Sequence, residues 1–216
     1  MFKKEFQSEE DRKRFLEKDK EIKRKSHHLD HWDQQGKFQA VTFHMADSIP
    51  RKVREDLEEI SKQFLLSHPK PWDEIVKKKY RNLIPKRIEL LLDNGYGSCV
   101  LKSPEIRKIV DDAILHYAEK EYYLHQYIVM PNHVHMLISM NEGYDIDKTL
   151  ENLRHYTSRL INSRLNQKGP FWYGEPYKRL IRNEDHFKAC ISYIKSNPKF
   201  LPPDEFTLWP PDEPLK

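Results

Sequence analysis

The chain has only two cysteines, Cys99 and Cys190, in 216 residues. That is too few for a disulfide scaffold, and no CxxC spacing offers a zinc knuckle, so both read as buried thiols of a reducing compartment. No apolar run approaches the roughly 20 residues that cross a bilayer, and the opening MFKKEFQSEEDRKRF has no apolar core of a signal peptide. A soluble, cytoplasmic protein without membrane contact is the expectation. A GxxxxGK phosphate loop is missing as well, which argues against nucleotide-driven chemistry. Internal repeats are absent.

Charge of one sign is scarce overall, since Lys and Arg number 38 against 34 acids, a net +4. The distribution is less even. Residues 151 to 200 hold ten basic residues (154, 159, 164, 168, 178, 179, 182, 188, 195, 199) and four acids (151, 175, 184, 185), so 10 − 4 = +6. Charged residues make up 33% and the hydrophobic set 38%, but aromatic residues reach 12%, enough to anchor a modest core under a polar surface. One domain with additions is expected: a charged extension over 1–36, a domain over 37–200 and a proline-rich tail over 201–216.

The extension alternates acids and bases around isolated Phe2, Phe6, Phe15 and Ile22, and reads as an exposed helix or flexible arm. Its His27, His28 and His31 resemble a metal cluster by composition but suit a solvated polar segment. Phe38 to Met45 is β-rich and reads as the first strand. Helical spacing follows at Val53, Leu57, Ile60 and Phe64, and again from Trp72 to Leu92 after Pro69-Lys70-Pro71. Asn94-Gly95-Tyr96-Gly97 is a turn and Ser98 to Leu101 a short strand. Ser103-Pro104 opens a helix with Ile106, Ile109, Val110, Ile114 and Tyr117 on one stripe. Tyr122 to Val129 and Val134 to Met140 form a hairpin around Pro131-Asn132. A helix over about 146 to 165, a strand from Tyr177 to Ile181, and a helix capped by Asn183 and closed before Pro198 complete the order. The tail from Leu201 reads as irregular. The fold class expected is α+β, helices packed on an antiparallel sheet.

Two motifs carry chemistry. In Met130-Pro131-Asn132-His133-Val134-His135 the alternation of a strand puts both imidazoles on one face, where they either chelate a cation or serve as satisfied core histidines. Two nitrogens alone do not close a zinc site. With an amide oxygen they leave positions open and suit catalytic Mg²⁺ or Mn²⁺. In Tyr193-Ile194-Lys195-Ser196-Asn197-Pro198 a hydroxyl nucleophile and an amide stand one helical turn apart. Phe187, Cys190, Ile191 and Ile194 form the core stripe, and Tyr193, Asn197 and His186 lie on a flank roughly 70 to 110° away. A half-exposed tyrosine beside a C-cap asparagine is the plainer reading, and Tyr156 is a rival nucleophile without an amide at +4, where Leu160 stands.

These motifs, with Leu92-Asp93-Asn94-Gly95-Tyr96-Gly97-Ser98-Cys99, Gly169-Pro170-Phe171-Trp172 and Ile181-Arg182-Asn183-Glu184, occur in the order found in REP-associated tyrosine transposases. The chain resembles that group of single-tyrosine HUH transposases over about 38 to 200. The resemblance implies a ferredoxin-like sheet flanked by helices, with a helical insertion after the first strand. It implies His133 and His135 as metal ligands, Asn197 as the third, and Tyr193 as the nucleophile of a 5′-phosphotyrosyl intermediate. Single-stranded or hairpin DNA of the REP palindrome type is the implied partner, taken by a monomer or homodimer. Arg154, His155, Arg159, Lys178, Arg179 and Arg182 are then the expected phosphate contacts, and His186 a candidate proton acceptor. Departures from the group include Lys178 where an acid is common and Lys199-Phe200-Leu201-Pro202 after the Asn-Pro pair. Two other classes remain open: a DNA-hairpin-binding protein without catalysis, and a metal-dependent phosphodiester hydrolase. The His-x-His-x-His type of hydrolase is excluded because Leu137 fills the third place.

Overall fold

The computed structural model describes residues 13–17, 23–26, 30–34 and 36–210. The pairing of His27 and His28 with His31 lies outside what is described. Strand β1 (Lys23–Ser26) pairs antiparallel with β2 (Asp30–Asp33) as a separate ribbon. This part of the extension is therefore strand, where a helix or flexible arm was expected. Phe15 also packs on the domain, its ring 5.2 Å from that of Phe38.

The main sheet comprises β3 (Phe38–His44), β4 (Tyr122–Val129), β5 (His133–Met140), β6 (Tyr177–Leu180) and β7 (Thr207–Trp209), in the order β6-β3-β5-β4-β7. Every neighbouring pair is antiparallel. Since β3 and β4 both run against β5, they are parallel to each other with β5 between them, the split arrangement of a ferredoxin-like sheet. The helices are α1 (Arg51–Ser67), α2 (Glu74–Leu83), α3 (Pro85–Asp93), α4 (Pro104–Ala118), α5 (Ile146–Leu165) and α6 (Glu184–Ser196). The protein is thus α+β, an antiparallel sheet flanked by helices, with α1 to α3 inserted after the first strand of the sheet.

β5 is buried on both faces along its whole length. Val134, Met136, Ile138 and Met140 face α4 and α5, where Val110 and Ile114 of α4 and Leu150, Leu153 and Ile161 of α5 complete the larger core. Each such side chain contributes roughly 1.5–3 kcal/mol. On the opposite face Leu137 packs with Phe38, Ile128, Phe187, Cys190 and Ile194, so α6 covers that side. His133 and His135 continue the line of Leu137 and therefore lie on the α6 face. A bulge between Leu124 and Gln126 lets Tyr122 and Leu124, then Tyr127 and Val129, all reach the larger core.

Four sequence readings change. The run from Trp72 to Leu92 is two helices, not one. Pro85 has no N–H to donate and starts α3, and Ile84 before it is at once the C-cap of α2 and the N-cap of α3. Ser98 to Leu101 is not a strand. Cys99 takes a left-handed backbone (φ 50°) and Val100–Lys102 is a 3₁₀ turn, whose Leu101 N–H bonds the Pro131 carbonyl at 3.2 Å. Ser103 occupies the N-cap of α4 without a side-chain capping bond. The tail is regular rather than irregular where β7 pairs with β4, and Arg107 holds the turn before it. The Arg107 guanidinium donates to the Asp204 carbonyl (2.7 Å), the Leu101 carbonyl (2.9 Å) and the Thr207 hydroxyl (2.9 Å).

Candidate active site

The hairpin of β4 and β5 turns at Pro131-Asn132 and delivers His133 at the start of β5. Direct partners across an antiparallel pair share a face, so the registers His44↔His133 and Thr42↔His135 put His44 and Thr42 beside the two imidazoles. The rings of His133 and His135 are 4.8 Å apart at 80°. Their exposures are 0% and 4%, so every polar atom on them needs a partner.

Half of those atoms have one. Asn132 donates its amide N–H to the Tyr96 carbonyl at 3.0 Å, which leaves its Oδ1 to accept from His133 Nδ1 at 2.7 Å. His135 Nδ1 meets the Thr42 hydroxyl at 2.8 Å. Both Nε2 atoms are buried without a partner. Burial pushes the His133 and His135 pKa values down, His135 to about 4, so both rings are neutral, and His133, whose Nδ1 donates to Asn132, carries its lone pair on Nε2.

α6 supplies the other half of the site. Asn183 caps its start, the side chain accepting from the His186 N–H at 2.9 Å, and Glu184 and Asp185 suit the first turn. Phe187, Cys190 and Ile194 are buried on the sheet, which sets the helix rotation and aims Tyr193 at β5. The Tyr193 ring lies edge-on to His135 with centroids 5.2 Å apart, and 36% of the residue stays exposed. One turn later both amide atoms of Asn197 are buried and make no hydrogen bond of ordinary geometry. His133, His135 and Asn197 thus each hold buried polar atoms with no hydrogen bond of ordinary geometry, and the His135 ring and the Asn197 amide both lie beside Tyr193. Such a set fits a divalent cation, because nitrogen and amide-oxygen donors would each gain a bond there. Among the described residues no three His, Cys, Asp or Glu side chains already stand as a ready-made metal cluster, and the Asn197 amide is a donor outside that set.

The tyrosine hydroxyl is held well above its ordinary pKa. Burial is the main cause, the Glu89 and Asp93 carboxylates of α3 add to it, and the nearby Asn197 amide and Arg179 offset part of it. A neutral phenol therefore awaits substrate.

The expected cations divide between two sides of the sheet. Register puts Arg179 opposite Ala40 and Tyr177 opposite Thr42, on the face of the histidines. Lys178 points the other way, is 5% exposed and pairs with Asp147 at the start of α5, so it is a buried ion pair rather than an open phosphate contact. Arg154, His155 and Arg159 line the same cavity of about 690 Å³ as Lys178, between α5 and the 169–178 segment. Arg154 is half-buried and spends its guanidinium on the Tyr173 and Gly174 carbonyls. His155, Arg159 and Arg182 are exposed. His186 is not brought to Tyr193. Seven residues of helix separate them by about 10 Å along the axis, and its Nδ1 accepts the Arg182 backbone N–H at 3.2 Å. Burial and then the neighbouring Arg179, Arg182 and Arg81 push its pKa down to about 4.

Asn132, Thr42 and Asp93 lie beside these residues and were not singled out from sequence as site residues, while Glu89 acts on Tyr193 through its charge alone. Asn132 and Asp93 at least lie inside quoted motifs. Thr42 has no local signal, since only the β3–β5 register brings it to His135.

With this geometry in place, comparison with known proteins adds a consistent result. Residues 98–197 match the family model described as "Transposase IS200 like". That span contains His133, His135, Tyr193 and Asn197, while β3 and the inserted helices lie before it. A solved structure of a REP-associated tyrosine transposase bound to a REP hairpin aligns at 12% identity with a TM-score of 0.42, covering 77% of this chain and 68% of that one. No curated protein matches the chain. Over 98–197 the chain is similar to IS200-like transposases, as its motifs imply.

Proposed function

We propose that this protein cleaves and rejoins single-stranded DNA beside a hairpin, through a 5′-phosphotyrosine link to Tyr193. The observation that supports the reading is that His133, His135 and Asn197 each bury polar atoms without an ordinary hydrogen bond, with Tyr193 packed on His135. Burying polar atoms unpaired costs about 1–3 kcal/mol each, a cost that folding tolerates where a ligand later meets them.

His133, His135 and Asn197 would hold Mg²⁺ or Mn²⁺, which when bound supplies charge neutralisation and alignment of the scissile phosphate. The chain's own residues do the rest. Tyr193 Oη attacks phosphorus as its proton leaves. The P–O3′ bond breaks, the 5′-phosphate stays on the tyrosine, and the departing oxygen takes up a proton as a free 3′-hydroxyl. Because one phosphodiester replaces another, a 3′-hydroxyl can reverse the step and join a strand without nucleotide energy. Arg179, on the face of the histidines, is placed to offset the extra charge of the attacked phosphate. The strand at the scissile phosphate would be single, as the family resemblance implies. Exposed His155, Arg159 and Arg182 supply salt-sensitive, sequence-independent attraction. The family resemblance supplies the hairpin and the REP-type palindrome, and the exposed basic residues favour a nucleic acid in general.

The test is a denaturing gel on single-stranded DNA with hairpins and flanks, incubated with Mn²⁺ or Mg²⁺. A covalent protein–DNA adduct is expected for the wild type and not for Tyr193→Phe. Tight hairpin binding without any adduct would favour a binding protein that performs no cleavage, and cleavage without an adduct would favour a hydrolase.

A further inference from the structure

We propose that Asp93, at the end of the inserted helix α3, is a fourth protein ligand to the divalent cation, joining His133, His135 and Asn197. The inference rests on the metal reading above and assigns a chemical role to the Leu92–Cys99 motif.

The first observation is a contact that makes little sense without a cation. Asp93 Oδ1 lies 3.9 Å from His133 Nε2. His133 Nδ1 must carry the ring proton, because its partner is Asn132 Oδ1, and the amide nitrogen of Asn132 is committed to the Tyr96 carbonyl. Nε2 therefore presents a lone pair to a carboxylate oxygen. Two acceptors facing each other at that separation neither bond nor attract. A positive ion between them turns the arrangement favourable. Bonds of about 2.1 Å from a hard cation let two donor atoms on one ion stand up to about 4 Å apart. His133 Nε2 is buried and unpartnered, whereas the Asp93 side chain is 40% exposed and free to rotate the last few tenths of an ångström.

The second observation is how firmly Asp93 is placed. The segment after it is fastened to the turn between β4 and β5 and to the loop after β3. The Tyr96 carbonyl accepts from Asn132, the Leu101 N–H donates to the Pro131 carbonyl, and the Ser98 N–H donates to Asp47 Oδ2 at 2.8 Å. Gly97, with φ +90°, packs so tightly that an added Cβ would fall 2.6 Å from the Asp47 carbonyl oxygen. These bonds secure Asn132, which orients His133, and they secure the end of α3 at the same time. A loop built this tightly does more than connect α3 to α4.

The ligand class follows from the donor set. Two imidazoles alone tolerate zinc or copper, but a carboxylate and an amide oxygen added to them shift the site toward hard, six-coordinate Mg²⁺ or Mn²⁺. Asp93 also brings the negative charge that three neutral ligands lack.

The experiment is Mn²⁺ binding to the full chain without DNA, by titration calorimetry and by the loss of the free-Mn²⁺ EPR signal. Wild type, Asp93→Ala, Asp93→Asn, Glu89→Gln and His133→Gln are compared, with melting in EDTA confirming that each is folded. The expected result is at least tenfold weaker binding for Asp93→Ala, a smaller loss for Asp93→Asn, and a change within threefold for Glu89→Gln, which removes a charge one turn away. Equal losses for Asp93→Ala and Glu89→Gln would reduce the effect to general electrostatics and overturn ligation. Unchanged affinity in Asp93→Ala, with binding abolished by His133→Gln, would remove Asp93 while leaving the metal reading intact. Wild-type protein that binds no Mn²⁺ would bring down both.

Discussion

Thr42 sits directly across the sheet from His135, and its hydroxyl lies 2.8 Å from His135 Nδ1. The hydroxyl holds the ring, which also packs against Tyr193. Thr42→Val keeps the shape and removes the partner, so the ring loses the bond that orients it. Mn²⁺ affinity is expected to fall roughly 10- to 100-fold, with about 1–3 kcal/mol of stability lost to the unsatisfied Nδ1. Calorimetric titration together with urea unfolding separates the two effects.

Metal-free protein is expected to lose stability on mild acidification. Burial holds the His135 pKa at about 4 against an ordinary 6.5, so the unfolded chain takes up a proton in this window and the folded chain does not. Stability is therefore complete above about pH 6.5 and falls as pH drops toward 4. His135 alone accounts for about 2 kcal/mol between pH 7 and pH 5. Urea unfolding in EDTA at the two pH values measures it, and His135→Gln should flatten the dependence.

Two basic residues on the same cavity should behave oppositely. Arg159 is exposed, so Arg159→Ala is expected to leave the melting temperature unchanged. It should reduce the slope of log affinity against log salt for single-stranded DNA by about 0.7. Lys178 is buried against Asp147. Lys178→Ala is expected to cost about 2–3 kcal/mol, less than a fully enclosed pair because Asp147 keeps some access to water, with little change in the salt slope. Salt-titrated DNA binding and thermal melting distinguish them.

Gly97→Ala combines a left-handed backbone with a collision against the Asp47 carbonyl. A loss of about 2 kcal/mol or more is expected, and because the same loop bonds Asn132, Mn²⁺ affinity should fall with it. Gly143→Ala has an open surrounding at a similar φ of 84° and serves as the control for backbone strain alone.

Local patterns made much of this architecture readable. The stripe of Ile146, Leu150, Leu153 and Ile161 and the Asn183 cap place α5 and α6, and the alternation through His133 and Val134 places β5 and its two faces. Spacings of two on a strand and four on a helix put His133 with His135 and Tyr193 with Asn197 on shared faces without knowledge of the fold, and the roles proposed for them come from the family resemblance. What escaped depends on distant contacts. Ser98 to Leu101 has strand-like composition, but both sides of β5 are already taken by β3 and β4, so the segment folds as a clasp. Thr207 to Trp209 looks irregular until β4 offers an edge. Thr42 and Asp93 come to the histidines from other elements, and no local period reports that. Lys178 reads as a surface cation because its place on the α5 side of β6 is set by register alone.

The strand added by Thr207 to Trp209 has one more consequence. One margin of the sheet, β4, is occupied by β7 over Tyr127 to Val129. At the other, β2 lies against β6, and the Leu16 N–H bonds the Ile181 carbonyl just beyond it. Free backbone at a sheet margin is what lets copies of a β protein stack into larger assemblies. Here β7 covers the end of one margin. Removing the chain beyond residue 206 would bare the backbone of β4 over Tyr127 to Val129, and light scattering is expected to show more self-association than in the full chain.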